Sequence, residues 1–228
     1  MANLGYSVSD ETVGNILRRH RIPPAPKRSR NTTWKAFIAS HMAVLAGTDF
    51  FTVEVLTWRG LVTYYLLFFI HREGRRVSVA GITRHPDEAW MEQMARNATS
   101  QTWGSLNQCR YALHDRDTKF CAKFRTTLAA GGVRPICLPA RSPNLNAYAE
   151  RWVHSVKEEC LSKLILFGEA SLRRALHEFV DHFHAERNHQ GKGNVLLFPS
   201  AQNQRKPRSR IQCRQRLGGL LRYYHDAA

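Results

Sequence analysis

Cysteine is scarce here and its spacing is uninformative: Cys109, Cys121, Cys137, Cys160 and Cys213 are an odd number with no Cys-x-x-Cys pair. A zinc ribbon and a disulfide framework are therefore excluded, and a reduced, cytoplasmic compartment fits. Long apolar stretches are missing too. The longest, Leu61 to Ile70, is about half of what a membrane-spanning helix needs, and the N-terminus lacks the charged-then-apolar layout of a signal peptide, so no membrane role is expected. No Gly-x-x-x-x-Gly-Lys-Ser/Thr run occurs, which argues against nucleoside triphosphate chemistry, and there is no internal repeat. Acidic residues are few: 18 Asp and Glu face 34 Lys and Arg, for a formal net charge of +16. Such a surface favours a polyanionic partner, nucleic acid first, through release of condensed counterions.

The positive excess sits at the ends. Residues 1–35 carry seven Lys and Arg against two acids, residues 203–228 seven against one, and the remainder twenty against fifteen. With 43% hydrophobic residues, the 228-residue chain has enough apolar side chains for one substantial core. Three segments are expected: 1–35, a short helix and basic Pro-rich linker; 36–202, the core; and 203–228, a basic tail.

Ser9-Asp10-Glu11-Thr12 caps an amphipathic helix that Ile22-Pro23-Pro24-Ala25-Pro26 stops, and Lys27, Arg28 and Arg30 follow in the linker. From Met42 to Thr83, apolar runs rich in Val, Phe, Tyr and Thr are broken at Trp58-Arg59-Gly60 and at Arg72 to Arg76, which predicts three strands. Pro86-Asp87-Glu88 then opens a helix to about Thr99. A strand near Arg110 to His114, a helix from about Lys119 to Ala130 and a strand from Arg134 to Leu138 come next. Two helices, about Asn146 to Leu164 and Ser171 to Arg187, complete an α/β sheet covered by helices.

Three acids stand out. Asp49 lies inside the first apolar run, where a lone carboxylate is costly unless a cation or an open cleft compensates for it. Asp115 follows a strand, the usual place for ligands in α/β folds. Asp117, two residues on, has an equal claim on geometry alone. Glu150 opens a helix on which Leu145, Ala149, Val153, Val156, Cys160 and Leu164 form the apolar stripe, with Glu150 and Lys157 along one edge. Three carboxylates from a strand, a strand end and a helix provide oxygen ligands suited to Mg²⁺ or Mn²⁺, and two such ions suit in-line phosphoryl displacement.

The order Asp49, Asp115, then Glu150 after 34 intervening residues resembles the DDE core of retroviral integrases and bacterial insertion-sequence transposases. Thr48-Asp49, His114-Asp115-Arg116 and the run from Ser142-Pro143-Asn144 to Lys157-Glu158-Glu159 carry the likeness, over roughly residues 40 to 200. It implies a ribonuclease-H-like mixed sheet flanked by helices and catalysis by Asp49, Asp115 and Glu150 holding two Mg²⁺ or Mn²⁺ ions. Around them, Lys157, Arg151, His154, Asn144, Arg116 and Lys119 are expected to contact double-stranded DNA. It further implies phosphodiester hydrolysis followed by strand transfer, a homodimer or higher oligomer on DNA, and a bacterial, nucleoid-associated location. His189-Gln190-Gly191 and Leu197-Phe198-Pro199 resemble the segment that closes such cores, whereas Asp117 stands where many relatives have glycine. The N-terminal helix resembles the last helix of a helix-turn-helix, so the expectation is a recognition module cut short.

Two other functions compete: a truncated or inactive DNA-binding remnant, and a ribonuclease-H-type nuclease that hydrolyses without joining. His182, His184 and His189 lack the cysteine partners of a zinc site and are expected on a helix rim. The tryptophans 34, 58, 90, 103 and 152 are expected as packing anchors.

Overall fold

A computed structural model of the chain describes residues 8–22, 33–140, 143–199 and 211–226. Two compact units divide between Ser40 and His41. In the first, helix α1 (Asp10–Arg19) is capped as its sequence predicts: Ser9 Oγ accepts the Thr12 N–H, two acids stand in the first turn and two arginines in the last. Val13 and Ile16 are exposed and no α1 residue is buried. A second helix, α2 (Trp34–His41), occupies residues where no element is expected from the sequence. The expected linker residues Lys27, Arg28 and Arg30 and the tail residues 205–208 lie outside the described residues.

The second unit is built on five strands: β1 (Leu45–Thr57), β2 (Gly60–His71), β3 (Val77–Thr83), β4 (Tyr111–His114) and β5 (Arg134–Cys137). Their spatial order is β3-β2-β1-β4-β5. The first three form an antiparallel meander, while β4 and β5 extend the sheet from β1 in parallel. Long β-branched and aromatic runs broken by short turns explain the meander; the parallel strands follow helical crossovers, as parallel pairing requires. Helices α3 (Glu88–Ala98) and α4 (Ala122–Ala130) fall on the β3–β4 and β4–β5 connections. They are followed by α5 (Ala147–Glu159) and α6 (Gly168–Ala185).

Residues alternate across β1, so the sheet has two packed faces. Ala46 and Phe50 join Met91, Ala95, Phe124 and Leu128 under α3 and α4. Phe51 and Val55 join Trp152, Val156, Leu172, Leu176 and Phe179 under α5 and α6. Along α5 the buried line runs through Ala149, Trp152, Ser155 and Val156, displaced from the expected stripe because the large Trp152 ring takes the centre and leaves Val153 at its margin. Trp152 is a packing anchor, but Trp58 and Trp103 are 92% and 66% exposed, contrary to expectation.

The histidines of α6 and its exit are also more internal than a helix rim. His182 and His189 are buried, His182 against Glu186 and His189 on the Phe183 carbonyl, while His184 accepts the Val77 N–H. Beyond them lie two short strands, β6 (Asn188–His189) and β7 (Val195–Leu196), and then β8 (Ile211–Arg216) and β9 (Leu221–Asp226). The last two pair as a hairpin within the segment read from sequence as a basic tail. Arg216 clasps this hairpin to α6: Nη2 and Nε donate to the two Glu186 oxygens at 2.8 and 2.9 Å, and Nη1 to Glu178 at 2.6 Å.

Burial alone would push the Glu186 carboxyl upward, but hydrogen bonds from Arg216, His182 and Arg214 hold it down to about 2. This stabilisation is present above the ordinary carboxylate value near 4.5 and is lost as pH falls toward 2. Arg216→Ala leaves the buried Glu186 with only His182 and Arg214 and is expected to cost about 3 kcal/mol, seen as a lower thermal midpoint with early proteolysis inside 211–226. An unchanged midpoint and an intact hairpin would count against the clasp.

Candidate active site

Asp49 lies in β1, and Asp115 stands just past the end of β4. In this parallel pair, Leu45 stands opposite Tyr111 and Gly47 opposite Leu113. Pairing stops there, and the two acids are close enough for the charge of Asp115 to act on Asp49. Alternation puts Asp49 on the face it shares with Phe51 and Val55, which packs under α5. His114, between Leu113 and Asp115, turns the other way and stacks near Phe120, with burial lowering its pKa.

The start of α5 is drawn to the Asp49 face by two buried polar side chains. Asn146, which precedes α5, is 5% exposed and its Nδ2 reaches the Thr48 carbonyl at 3.4 Å. Arg72, also 5% exposed, donates to the Leu145 carbonyl at 2.6 Å. Gly47 makes room for the first of these, because a Cβ there would lie 2.6 Å from Asn146 Oδ1. Four residues after Asn146, the exposed Glu150 sits in the first turn of α5.

Electrostatics link the three acids. Asp49 is pushed up to about 6, first by burial and then by the negative charges of Asp115, Glu150 and Asp117, against a hydrogen bond from the Phe50 N–H at 2.8 Å. Asp117 behaves differently. Despite its partial burial, it accepts from Lys119 Nζ at 2.7 Å and from the Lys119 N–H at 2.9 Å, which lowers its pKa. Asp115 accepts only the Asp117 N–H among described side-chain hydrogen bonds, at 3.0 Å. In a strongly basic chain, Asp49, Asp115 and Glu150 thus remain outside every ion pair among the described residues.

The Integrase core domain family matches residues 131–195, which hold β5, α5 and α6 and include Glu150. The fold is similar to the HTLV-2 integrase catalytic core domain in complex with magnesium, at a TM-score of 0.51 and 11% identity, covering 68% of this chain and 93% of that one. The chain has the fold of an integrase catalytic core, and part of it matches the integrase core family. Two further similar structures are a simian T-cell lymphotropic virus intasome in complex with the PP2A regulatory subunit B56 gamma and the catalytic core domain of BIV integrase. The intasome gives a TM-score of 0.49 and 11% identity over 81% of this chain and 67% of that one; the BIV core gives 0.44 and 13% over 65% and 88%. No curated protein matches the sequence. The sheet order and the helices on both faces are those of the ribonuclease-H-like integrase core.

Within this fold the side chains expected around the three acids divide into groups. Arg151, His154 and Lys157 are exposed along α5, with Lys157 Nζ 5.8 Å from the centre of the Phe51 ring, on the Asp49 face of β1. Arg116 is exposed beside Asp115 and donates to the Leu138 carbonyl at 3.2 Å. Lys119 turns to the α3 face, between the Phe50 and Tyr65 rings and paired with Asp117. Asn144 stands in the turn Pro143–Asn146, and its side chain lies outside the described residues.

Asn146, Arg72 and Gly47 were not singled out from the sequence. Glycine inside a strand marks a close approach of other atoms, so Gly47, two residues before Asp49, was the readable signal. Gly47→Ala is expected to displace Asn146, cost about 1 to 3 kcal/mol and slow any Glu150-dependent reaction. Adding Asn146→Ala should restore part of the lost stability in a thermal melt. A single variant with wild-type midpoint and rate would mean that the close approach does not set the position of α5.

Proposed function

We propose that this integrase core cuts and joins DNA, with Asp49, Asp115 and Glu150 as a carboxylate triad. The observation that carries the reading is that the charges of Asp115, at the end of β4, and Glu150, on α5, both act on the half-buried Asp49, while none of the three joins an ion pair among the described residues. All the donors are hard oxygens, and burial first, then the charges of Asp115 and Glu150, lift Asp49 above its ordinary range, so the residues suit a divalent cation. Among the described residues no three His, Cys, Asp or Glu side chains stand close enough together to hold a metal ion as they are, so the site assembles around the cation. Mg²⁺ or Mn²⁺, when bound, supplies the Lewis acidity that activates an attacking hydroxyl and steadies the leaving oxygen.

The chain's own side chains then have distinct tasks. Asp49 and Asp115 fix the cation site from the rigid sheet, and Glu150 closes it from α5. Lys157 and Arg151, exposed on the same helix, hold phosphates of double-stranded DNA on either side of it. In the first step water attacks a phosphodiester, a new P–O bond forms and the 3′ oxygen leaves as a free hydroxyl. In the second, that hydroxyl attacks a target phosphodiester and displaces the target's own 3′ oxygen. Two element ends call for two triads, which favours a homodimer or higher oligomer; the HTLV-2 core was solved in dimeric and trimeric forms.

The deciding experiment incubates the chain with a supercoiled plasmid and with a labelled duplex in Mg²⁺ or Mn²⁺. Nicked and joined products are expected. Nicking without joined products supports a hydrolytic nuclease instead, and binding without either supports an inactive DNA-binding form.

A further inference from the structure

On the flank of α5 turned away from Glu150, a cleft of about 530 Å³ opens between α5, the end of α6 and the turn that follows it. At 3.6 residues per turn, Tyr148, Arg151 and Ser155 lie within about 60° of one another and roughly 100 to 160° from Glu150. The cleft walls carry Arg75, Arg151 and Arg187 together with Tyr148, Trp152 and Phe183, and no Asp or Glu. Arg187 is neutralised by Glu159 at 2.6 Å, but the other donors are not. Trp152 is 1% exposed and its indole N–H has no hydrogen-bond partner. The Nε–H of Arg75 is buried and equally unpartnered, and Arg151 is exposed.

Arg75 is held in place at a cost. Its φ of 55° puts a non-glycine residue in the left-handed region, a conformation that persists only where surrounding contacts enforce it. Those contacts are present: Nη2 donates to the Gly191 carbonyl at 2.9 Å, and the guanidinium lies 5.0 Å over the Tyr148 ring. A Cβ at residue 191 would come within 3.1 Å of this guanidinium, so glycine there lets it approach. Buried donors without acceptors, on walls without acids, select an anion. A guanidinium plane stacked on an aromatic ring selects a flat group beside that anion.

We infer that this cleft binds an unpaired nucleotide of the DNA strand that crosses α5, its phosphate at Arg151 and the Trp152 N–H and its base against the Arg75–Tyr148 stack. The inference rests on DNA being the substrate of the integrase core. The volume falls in the range of small-ligand pockets, fit for a nucleotide and too small for a stacked duplex. Because Arg151 follows Glu150 in the chain, a strand cut at Glu150 has a neighbouring nucleotide within reach of the cleft.

The test measures binding by the full chain without divalent metal, comparing a blunt duplex with the same duplex carrying a short single-stranded tail. The tailed duplex is expected to bind roughly tenfold more tightly, the scale of one stacked base. Arg75→Gln should erase that preference while leaving blunt-duplex affinity within about threefold, since it removes no duplex contact, whereas Arg151→Gln should erase it and weaken the blunt duplex as well. Free dAMP should compete for the tail far better than inorganic phosphate. Equal affinity for the two duplexes, variants that keep the preference, or phosphate competing as well as dAMP would each overturn the assignment. If Arg75→Gln fails to fold, Tyr148→Leu, which removes the ring under the Arg75 guanidinium, takes its place. A tail preference that survives in a chain unable to nick DNA would overturn the catalytic reading and spare the cleft, whereas nicking without a tail preference would do the reverse.

Discussion

Asp115→Asn and Glu150→Gln are each expected to lower metal-dependent nicking of supercoiled plasmid by about a thousandfold or more, the scale on which members of a catalytic unit act. Asp117→Asn is expected to cost about tenfold and at most about a hundredfold, as loss of a supporting contact does. The contrast follows from what each carboxylate is already doing. Asp117 is bound by the Lys119 ammonium and N–H, and the pair sits by the Phe50 and Tyr65 rings on the α3 side of the sheet. Its negative charge is spent there. Asp115 follows the end of β4, the strand paired with β1, joins no ion pair among the described residues, and raises the Asp49 pKa more than Asp117 does. Both substitutions at 115 and 117 are isosteric on exposed or half-exposed side chains, so folding is preserved and initial rates report chemistry. An inactive Asp117→Asn beside an active Asp115→Asn would reverse the two roles.

The sequence alone left Asp115 and Asp117 level, and the reason is physical. Period-two alternation assigns both to one face of an ideal strand, but β4 ends at His114, and beyond it the chain turns. Only the partner of each carboxylate separates them, and Lys119 as a partner is a matter of three-dimensional placement. The meander, by contrast, was readable because its strands are long, β-rich and broken by tight turns at Trp58-Arg59-Gly60 and Arg72 to Arg76. Helices α3, α5 and α6 were readable from apolar spacing, and α3 also from its Asp87 cap, which accepts the Trp90 N–H. The hairpin of β8 and β9 was not: five of the six β8 residues are exposed, so it has no apolar alternation, and it is held to α6 by the Arg216 ion pairs. Basic composition was read there as tail, although the same arginines serve as clasp. Likewise Arg72 reads as a turn residue in sequence, and its buried bond to the Leu145 carbonyl joins residues 73 positions apart.

Asp49→Asn is expected to abolish nicking and yet make the metal-free protein more stable at neutral pH. Burial first, and then repulsion from Asp115 and Glu150, raise the Asp49 carboxyl from 3.8 to about 6. A folded-state pKa above the unfolded one means that the folded chain binds more protons between these values. Stability from this group is therefore fully present below pH ~4, declines as pH rises through about 6, and stays reduced above it. About two pKa units correspond to roughly 3 kcal/mol, of which part is recovered by an amide that is itself half-buried, leaving a gain of about 2 kcal/mol. For a unit of this size that is about 5 °C in thermal midpoint at pH 7.5, shrinking to nothing near pH 4, where wild-type Asp49 is largely protonated. Millimolar Mg²⁺ should raise the wild-type midpoint at pH 7.5, because a cation bound only by the folded chain stabilises it, and should do little for Asp49→Asn. A variant no more stable than wild type at pH 7.5, or one that gains as much at pH 4, would show that ionised Asp49 is not a source of strain. If instead the gain appears with a full nicking rate, Asp49 is a buried acid with no part in the chemistry, and the triad fails at its first member.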